Sequence, residues 1–326
     1  GAAAPKMNAA DLRNRGWEWS VSWREQRGDW RYNASFNIYD SKTVIEKYDN
    51  AAFSLPSNAM PYYEGMTLGE RWGYVTDGFY AIDDFVPSSD GIKGWQDGVW
   101  TLKEGIASIQ GVTVRPGDIK FKNLRDDENS VNRIDPGANT VDNPGDQKII
   151  GNDAARFQFG SSLGFGYKGF DFSMLLQGTG KRDVFLLDQS IYKPFGGVKH
   201  GALFKGHSDY WRPSDMNANT IEGWTPVNDN PKYPRIYDNQ GNMGSNFRAQ
   251  TRYVENGAYL RVKNITLGYT FPKEWVSRVG LTNVKVYFSG ENLFTFSSLP
   301  TGFDPERLSW SYPFYRTLSF GFNLTL

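Results

Sequence analysis

Side chains able to do bond chemistry are scarce in this 326-residue chain, which has two histidines, His200 and His207, and no cysteine. No serine stands in a nucleophile-elbow context, so a hydrolytic triad lacks its parts, as does a histidine-rich metal centre. Glycine is plentiful at 35 residues, yet no Walker or dinucleotide fingerprint falls between a strand and a helix. No catalytic residue, cofactor or metal ligand is assigned, and no enzyme activity is expected. One acid-rich stretch, Asp118 to Asp146 with Asp126, Asp127, Glu128, Asp135 and Asp142, offers the oxygen ligands that calcium prefers. Its run Asn123-Leu124-Arg125-Asp126-Asp127-Glu128-Asn129 lacks the glycine of a sharp cation-binding turn, so a solvated loop is the expected reading.

Recognition chemistry has more material. Trp72, Tyr74, Tyr80, Trp95, Trp100, Tyr210, Trp211 and Trp224 lie in long segments where contact with lipid cannot account for them. Aromatic faces of this kind stack on sugar rings or anchor peptides. The competing expectation is that they form the loops' own small cores or an interface with a partner. Arg24, Arg31 and Lys285 could attract an anionic ligand, with pairing to acids the alternative. Lys plus Arg and Asp plus Glu balance at 36 each, which argues against a basic groove for nucleic acid. The absence of cysteine excludes a disulfide scaffold and suits a compartment where stray thiols would oxidise.

The elements that carry these residues have a two-residue beat. Trp17, Trp19, Val21 and Trp23 alternate with Glu18, Ser20, Ser22 and Arg24, and strict alternation means a strand with one apolar and one polar face. Three tryptophans on one face suit a strand passing through lipid. Seven such strands are expected: about 16–25, 30–42, 156–167, from 170 to about 177, 259–271, 283–293 and 316–326. Trp17, Trp19, Trp23, Trp30, Phe36, Phe159, Phe165, Phe172, Phe320 and Phe322 are the expected lipid-facing residues, and Tyr269 joins them or an interfacial belt. Lys273 to Val279 reads as a brief helix capped by Gly280. Mean hydropathy is -0.56, and no apolar run approaches the roughly 20 residues of a membrane-spanning helix.

Connections alternate between short turns and long loops, the latter about 43–155, 178–257 and 296–315. Short turns on one side and long loops on the other mark an outer-membrane barrel with its turns in the periplasm. The expected fold class is thus all-β, a transmembrane antiparallel β-barrel. Seven strands are an odd number, and an open sheet in lipid leaves edge N–H and C=O groups unsatisfied. The expectation is a C-terminal piece of a longer polypeptide, whose missing part pairs with the first and last strands.

Several stretches resemble one family, the SusC/RagA-type TonB-dependent outer-membrane transporters of Bacteroidetes. They are Asn14-Arg15-Gly16-Trp17-Glu18, Gly73-Tyr74-Val75-Thr76-Asp77-Gly78-Phe79, Pro116-Gly117-Asp118-Ile119-Lys120-Phe121-Lys122 and Ile149-Ile150-Gly151-Asn152. Further matches are Tyr259-Leu260-Arg261-Val262-Lys263-Asn264-Ile265-Thr266-Leu267-Gly268-Tyr269, Ser289-Gly290-Glu291-Asn292-Leu293-Phe294-Thr295-Phe296 and Gly302-Phe303-Asp304-Pro305-Glu306. The terminal Ser319, Gly321, Leu324 and Leu326 fit the pattern that barrel-assembly machinery reads, although Leu326 stands where an aromatic is usual. The resemblance implies a barrel of about 22 strands in a Gram-negative outer membrane, with a plug energised by TonB and a SusD-like surface lipoprotein as lid. It implies import of glycans or peptides. A siderophore-type receptor, a passive porin and a soluble carbohydrate-binding β-sandwich are the alternatives.

Overall fold

The computed structural model describes residues 10–57, 61–86, 100–126, 131–186, 205–215, 223, 225–228, 230–237, 244–308 and 314–326. The chain divides into two compact units, one comprising Leu12–Val44, Asp153–Val184 and Glu255–Leu326, the other Gly1–Asp11, Ile45–Asn152 and Phe185–Val254. No helix among the described residues is long and apolar enough to cross a membrane.

The first unit is a wall of seven strands paired in chain order. They are β1 (Ala10–Arg27), β2 (Trp30–Tyr48), β3 (Arg156–Tyr167), β4 (Phe170–Lys181), β5 (Tyr259–Thr270), β6 (Asn283–Ser297) and β7 (Thr317–Thr325). Antiparallel pairing puts directly opposed residues on the same face, so the register tests the faces expected from alternation. Phe165 lies opposite Tyr32 and Phe172, and Phe172 opposite Leu267. Leu267 lies opposite Phe288, and Phe288 opposite Phe320. On β1, Trp19 and Trp23 pack on Phe36 and Tyr32, with ring centroids 6.0 and 6.1 Å apart. One apolar face therefore runs unbroken across all seven strands.

This face has no protein cover in the wall. Trp17 is 51% exposed, Phe320 74% and Phe322 65%. Phe36, Phe159 and Phe172 are half-buried only because neighbouring rings overlap them, with Phe165 and Phe172 stacked at 5.2 Å. An apolar surface of this extent far exceeds the few hundred Å² that a soluble monomer exposes. At the short-turn end the face closes in aromatic rings, with Trp30 stacked on Tyr167 at 4.1 Å and Phe170 against Tyr269 at 4.4 Å.

The other face is polar, and glycine shapes it. Gly166 lies beside Arg31, whose Nη2 would be 3.0 Å from any added Cβ, and Gly321 lies under the Tyr287 ring. Long polar side chains can thus lie flat across the neighbouring strand. The role of these glycines here is space rather than backbone freedom.

Most strands run farther toward the long loops than the alternation indicates. β1 begins at Ala10, β2 continues to Tyr48 and β6 to Ser297, because backbone pairing persists where the apolar band stops. A bulge between Val262 and Asn264 shifts the β5–β6 register, and Asn292 takes a positive φ of 50°. After β5, a helical turn at Lys273–Val276 tightens into a 3₁₀ turn at Ser277–Val279, ended by left-handed Gly280.

The second unit, built from segments expected as long loops, contains short paired strands. Glu70–Tyr74 pairs antiparallel with Gln147–Asn152, and Thr76–Phe79 with Ile119–Phe121. Phe85–Val86 pairs with Thr101–Leu102, and Ser108–Ile109 runs parallel to Arg133–Ile134.

A charge in the middle of the apolar face tests the wall. Phe288→Arg is expected to destabilise the full-length protein in lipid vesicles by about 2–4 kcal/mol, and Ser173→Arg on the polar face by less than about 1 kcal/mol. Equilibrium urea unfolding of the two variants measures the difference.

Candidate functional site

The aromatic residues of the second unit build its core. Tyr74, Tyr80, Trp100 and Trp211 are all buried there with Phe85, Ile109, Val114, Ile119, Phe121 and Ile134. Their rings meet one another: Tyr74 and Phe121 lie 5.2 Å apart, Phe85 and Trp100 5.5 Å. The Tyr80 hydroxyl donates to the Ala107 carbonyl at 2.5 Å. Burial raises the pKa of both Tyr74 and Tyr80 above the usual phenol value. In this arrangement the four rings present no face on which a ligand could stack.

Pro116-Gly117-Asp118 organises that core. Gly117 has φ +88°, and a Cβ there would run into the Trp211 indole. Its N–H donates to the Tyr80 carbonyl, and its own carbonyl accepts from the Arg235 N–H at 2.9 Å. The Asp118 carboxylate, 2% exposed, accepts from the Tyr237 hydroxyl, the Asn246 amide and the Arg115 N–H, each at 2.8 Å. Burial pushes its pKa up, although those hydrogen bonds and the nearby Arg235 guanidinium pull it down.

Trp72 and Tyr210 are half-buried. The Trp72 indole N–H points at the Tyr63 hydroxyl, 3.3 Å away, and at Glu70. Tyr63 in turn donates to Glu70, which also accepts from the Thr67 N–H at 3.1 Å. This fixes the indole orientation while leaving part of the ring accessible. Tyr210 has the Arg212 guanidinium 5.7 Å over its ring. Trp95 and Trp224 lie outside the described residues.

In the acid-rich stretch Asp126, Asp135 and Asp146 hold backbone, and Asp127 and Glu128 lie outside the described residues. Asp146 is 1% exposed, and its oxygens accept from the N–H groups of Leu124 (2.7 Å), Asp135 (2.8 Å) and Arg125 (3.2 Å). Asp135 accepts from the Gly137 N–H and Asp126 from the Asn132 N–H. Among the described residues no group of three or more potential ligands could hold a metal ion.

On the polar face of the wall, Lys285 pairs with Asp171 at 2.8 Å, whereas Arg24 is exposed and Arg31 lies over Gly166. A shallow depression lined by Trp23, Trp30, Tyr32, Leu163 and Phe165 belongs to the apolar face. It is a gap between uncovered rings.

The most buried charge cluster of the wall has no assigned role in the sequence reading. Arg261, 1% exposed, reaches Asp304 at 2.6 Å and Glu306 at 3.0 Å, while Lys263 reaches Glu306 at 3.2 Å. The Arg261 Nε also donates to the Thr295 hydroxyl at 2.9 Å. Arg261, Lys263 and Arg307 surround the Phe314 ring at 5.2, 5.0 and 4.8 Å. The connection from β6 to β7 is thereby latched onto β5. The sequence shows two cations and two acids, each pair two residues apart, but no local feature pairs the two stretches.

No protein-family model matches the chain. It is 25% identical over 99% of its length to TonB-dependent receptor P3 of Formosa agariphila, and 27% identical over 92% to TonB-dependent receptor P39 of the same organism. It is 26% identical over 59% of its length to TonB-dependent receptor SusC of Bacteroides thetaiotaomicron. The chain spans 30%, 28% and 17% of those relatives, respectively. Among solved structures it is similar to the RagAB peptide transporter, with a TM-score of 0.62 at 18% identity, over 97% of this chain and 30% of that one. The RagAB peptide importer in its closed-closed state gives a TM-score of 0.61 over the same shares.

Two outcomes test the hub at Asp118. Gly117→Ala is expected to remove hydrogen-exchange protection from residues 117–121 in the full-length protein, since no side chain fits against Trp211. Because the folded Asp118 carboxyl binds its proton more tightly than the unfolded one, the folded unit carries the extra proton. Stability therefore falls as pH rises from the ordinary value of 3.8 through the raised one. Asp118→Asn is expected to flatten that dependence, read by exchange corrected for intrinsic rates.

Proposed function

We propose that this SusC/RagA-type chain, the C-terminal portion of a TonB-dependent receptor, supplies seven strands to the wall of an outer-membrane importer of oligomeric nutrients, glycan or peptide. One observation carries the reading: the apolar face that crosses all seven strands with a polar face behind it. β1 and β7 form the edges of the sheet, and among the described residues neither edge is paired with a further strand. Edge N–H and C=O groups in hydrocarbon would be left unsatisfied at several kcal/mol each. Both edges are therefore completed by the remainder of the transporter, in a barrel of about 22 strands closed by a plug. The plug couples to TonB, and a SusD-like surface lipoprotein covers the cargo. The work is translocation, so the chain needs no nucleophile, cofactor or metal.

The unit built from the long loops takes part in cargo capture. Of its aromatic residues, Trp72 and Tyr210 retain exposed ring surface, and Trp95 and Trp224 complete the proposed contact set. Tyr74, Tyr80, Trp100 and Trp211 act at one remove, by holding the loops in shape.

Purification of the full-length transporter in detergent is expected to bring a surface lipoprotein with it, identified by mass spectrometry. Recovery without one would favour a siderophore-type receptor or a passive porin. Against a panel of oligosaccharides and peptides, Trp72→Ala is expected to weaken binding of the recognised cargo about tenfold, the weight of one stacked aromatic residue. Unchanged affinity would remove Trp72 from the contact set.

A further inference from the structure

The apolar face of the wall ends in two different chemistries. At the short-turn end it closes in the stacked rings of Trp30, Tyr167, Phe170 and Tyr269, side chains that favour a headgroup interface. At the long-loop end the apolar line of β1 stops at Trp17, and the next residue on that face is Arg15. Gly16 between them lies against β2, where an added Cβ would be 2.8 Å from the Ser41 Cβ. The next opposed position therefore pairs Arg15 with Lys42. The turn gives the same register, since Arg27 and Trp30 flank Gly28-Asp29 and equal steps back along both strands bring Arg15 opposite Lys42.

Two exposed cations thus face each other across adjacent strands, an arrangement that repels unless an anion lies between them. Among the described residues neither makes an ion pair. Asp40, the nearby acid on β2, is taken by Nε and Nη2 of Arg156, the latter at 2.5 Å. Directly along β1 are Trp17 and Trp19, 51% and 54% exposed. A pair of cations beside an apolar strip is complementary to a phosphate carried on acyl chains, because basic groups at an interface attract anionic headgroups.

We propose that Arg15 and Lys42 clamp a phosphate of the phosphorylated glycolipid that forms the outer leaflet, with its acyl chains lying along Trp17 and Trp19. The inference rests on the outer-membrane reading and adds a lipid ligand to it. The wall then carries a chemical mark of which leaflet each end occupies. Aromatic rings sit at the periplasmic interface and a phosphate clamp at the outer one.

The test uses the full-length transporter, recovered from the outer membrane and exchanged into nanodiscs doped with bis-phosphorylated lipid A or with its dephosphorylated form. Native mass spectrometry after release reads the lipid retained. Wild type is expected to retain the phosphorylated form about thirtyfold more, given two cations at the interface. Arg15→Gln with Lys42→Gln is expected to bring that ratio near one, and Arg24→Gln on the polar face to leave it unchanged. Equal retention of both lipids by wild type overturns the clamp, and needs no variant to assemble. A preserved preference in the double variant overturns it as well, placing the phosphate contact elsewhere. In either case recovery from the outer membrane leaves the transporter reading standing, whereas absence of the wild type from that membrane defeats both.

Discussion

For the proposed outer-membrane wall, the governing constraint is that backbone polar groups must pair where water is absent. In hydrocarbon an extended segment survives only beside another strand, and pairing in chain order satisfies each strand through its neighbours. Once the backbone is fixed this way, alternate side chains point to opposite faces, and the sequence divides its residues accordingly. Phe288 and Phe320 meet on one side, Ser289 and Ser319 on the other. A single step of register would exchange every such pair. The bulge near Lys263 is therefore placed beyond the apolar positions Ile265 and Leu267, where it can turn Arg261 and Lys263 toward the β6–β7 connection without disturbing the face.

Charge is handled by enclosure in both units. Arg261 is held between two carboxylates and Asp118 among hydrogen-bond donors, with Arg235 close by. Removing one partner from such a set leaves a buried charge uncompensated, which is far more damaging than losing a surface pair. These clusters fix the path of long connections that have few regular strands of their own. The proposed capture of cargo by loops would draw on such rigidity, because a contact surface that must first order itself binds weakly.

The strands were legible because strict apolar–polar alternation is a pattern that composition averages conceal. Arg156–Tyr167 was readable to its ends, since Phe159, Phe165 and Tyr167 alternate with Gly160, Gly164 and Gly166. β1 was truncated because Asp11 and Arg13 carry no apolar beat, although their backbone still pairs. The second unit was not legible as a folded body: its paired segments are two to six residues long, too short for periodicity to register. Trp100 and Trp211 therefore looked the same in sequence as Trp72, and only packing separates the two buried rings from the accessible one. The Arg261 cluster was missed for another reason. Its partners are more than forty residues apart, and nothing local says they meet.

Spin labels placed singly at residues 318 to 324 of the full-length transporter in lipid vesicles test the central claim most directly, by comparing collision with oxygen and with a water-soluble nickel chelate. Positions 318, 320, 322 and 324 are predicted to favour oxygen, and 319, 321 and 323 to be shielded from lipid. A strand whose two sets of positions respond alike to both probes would contradict the account.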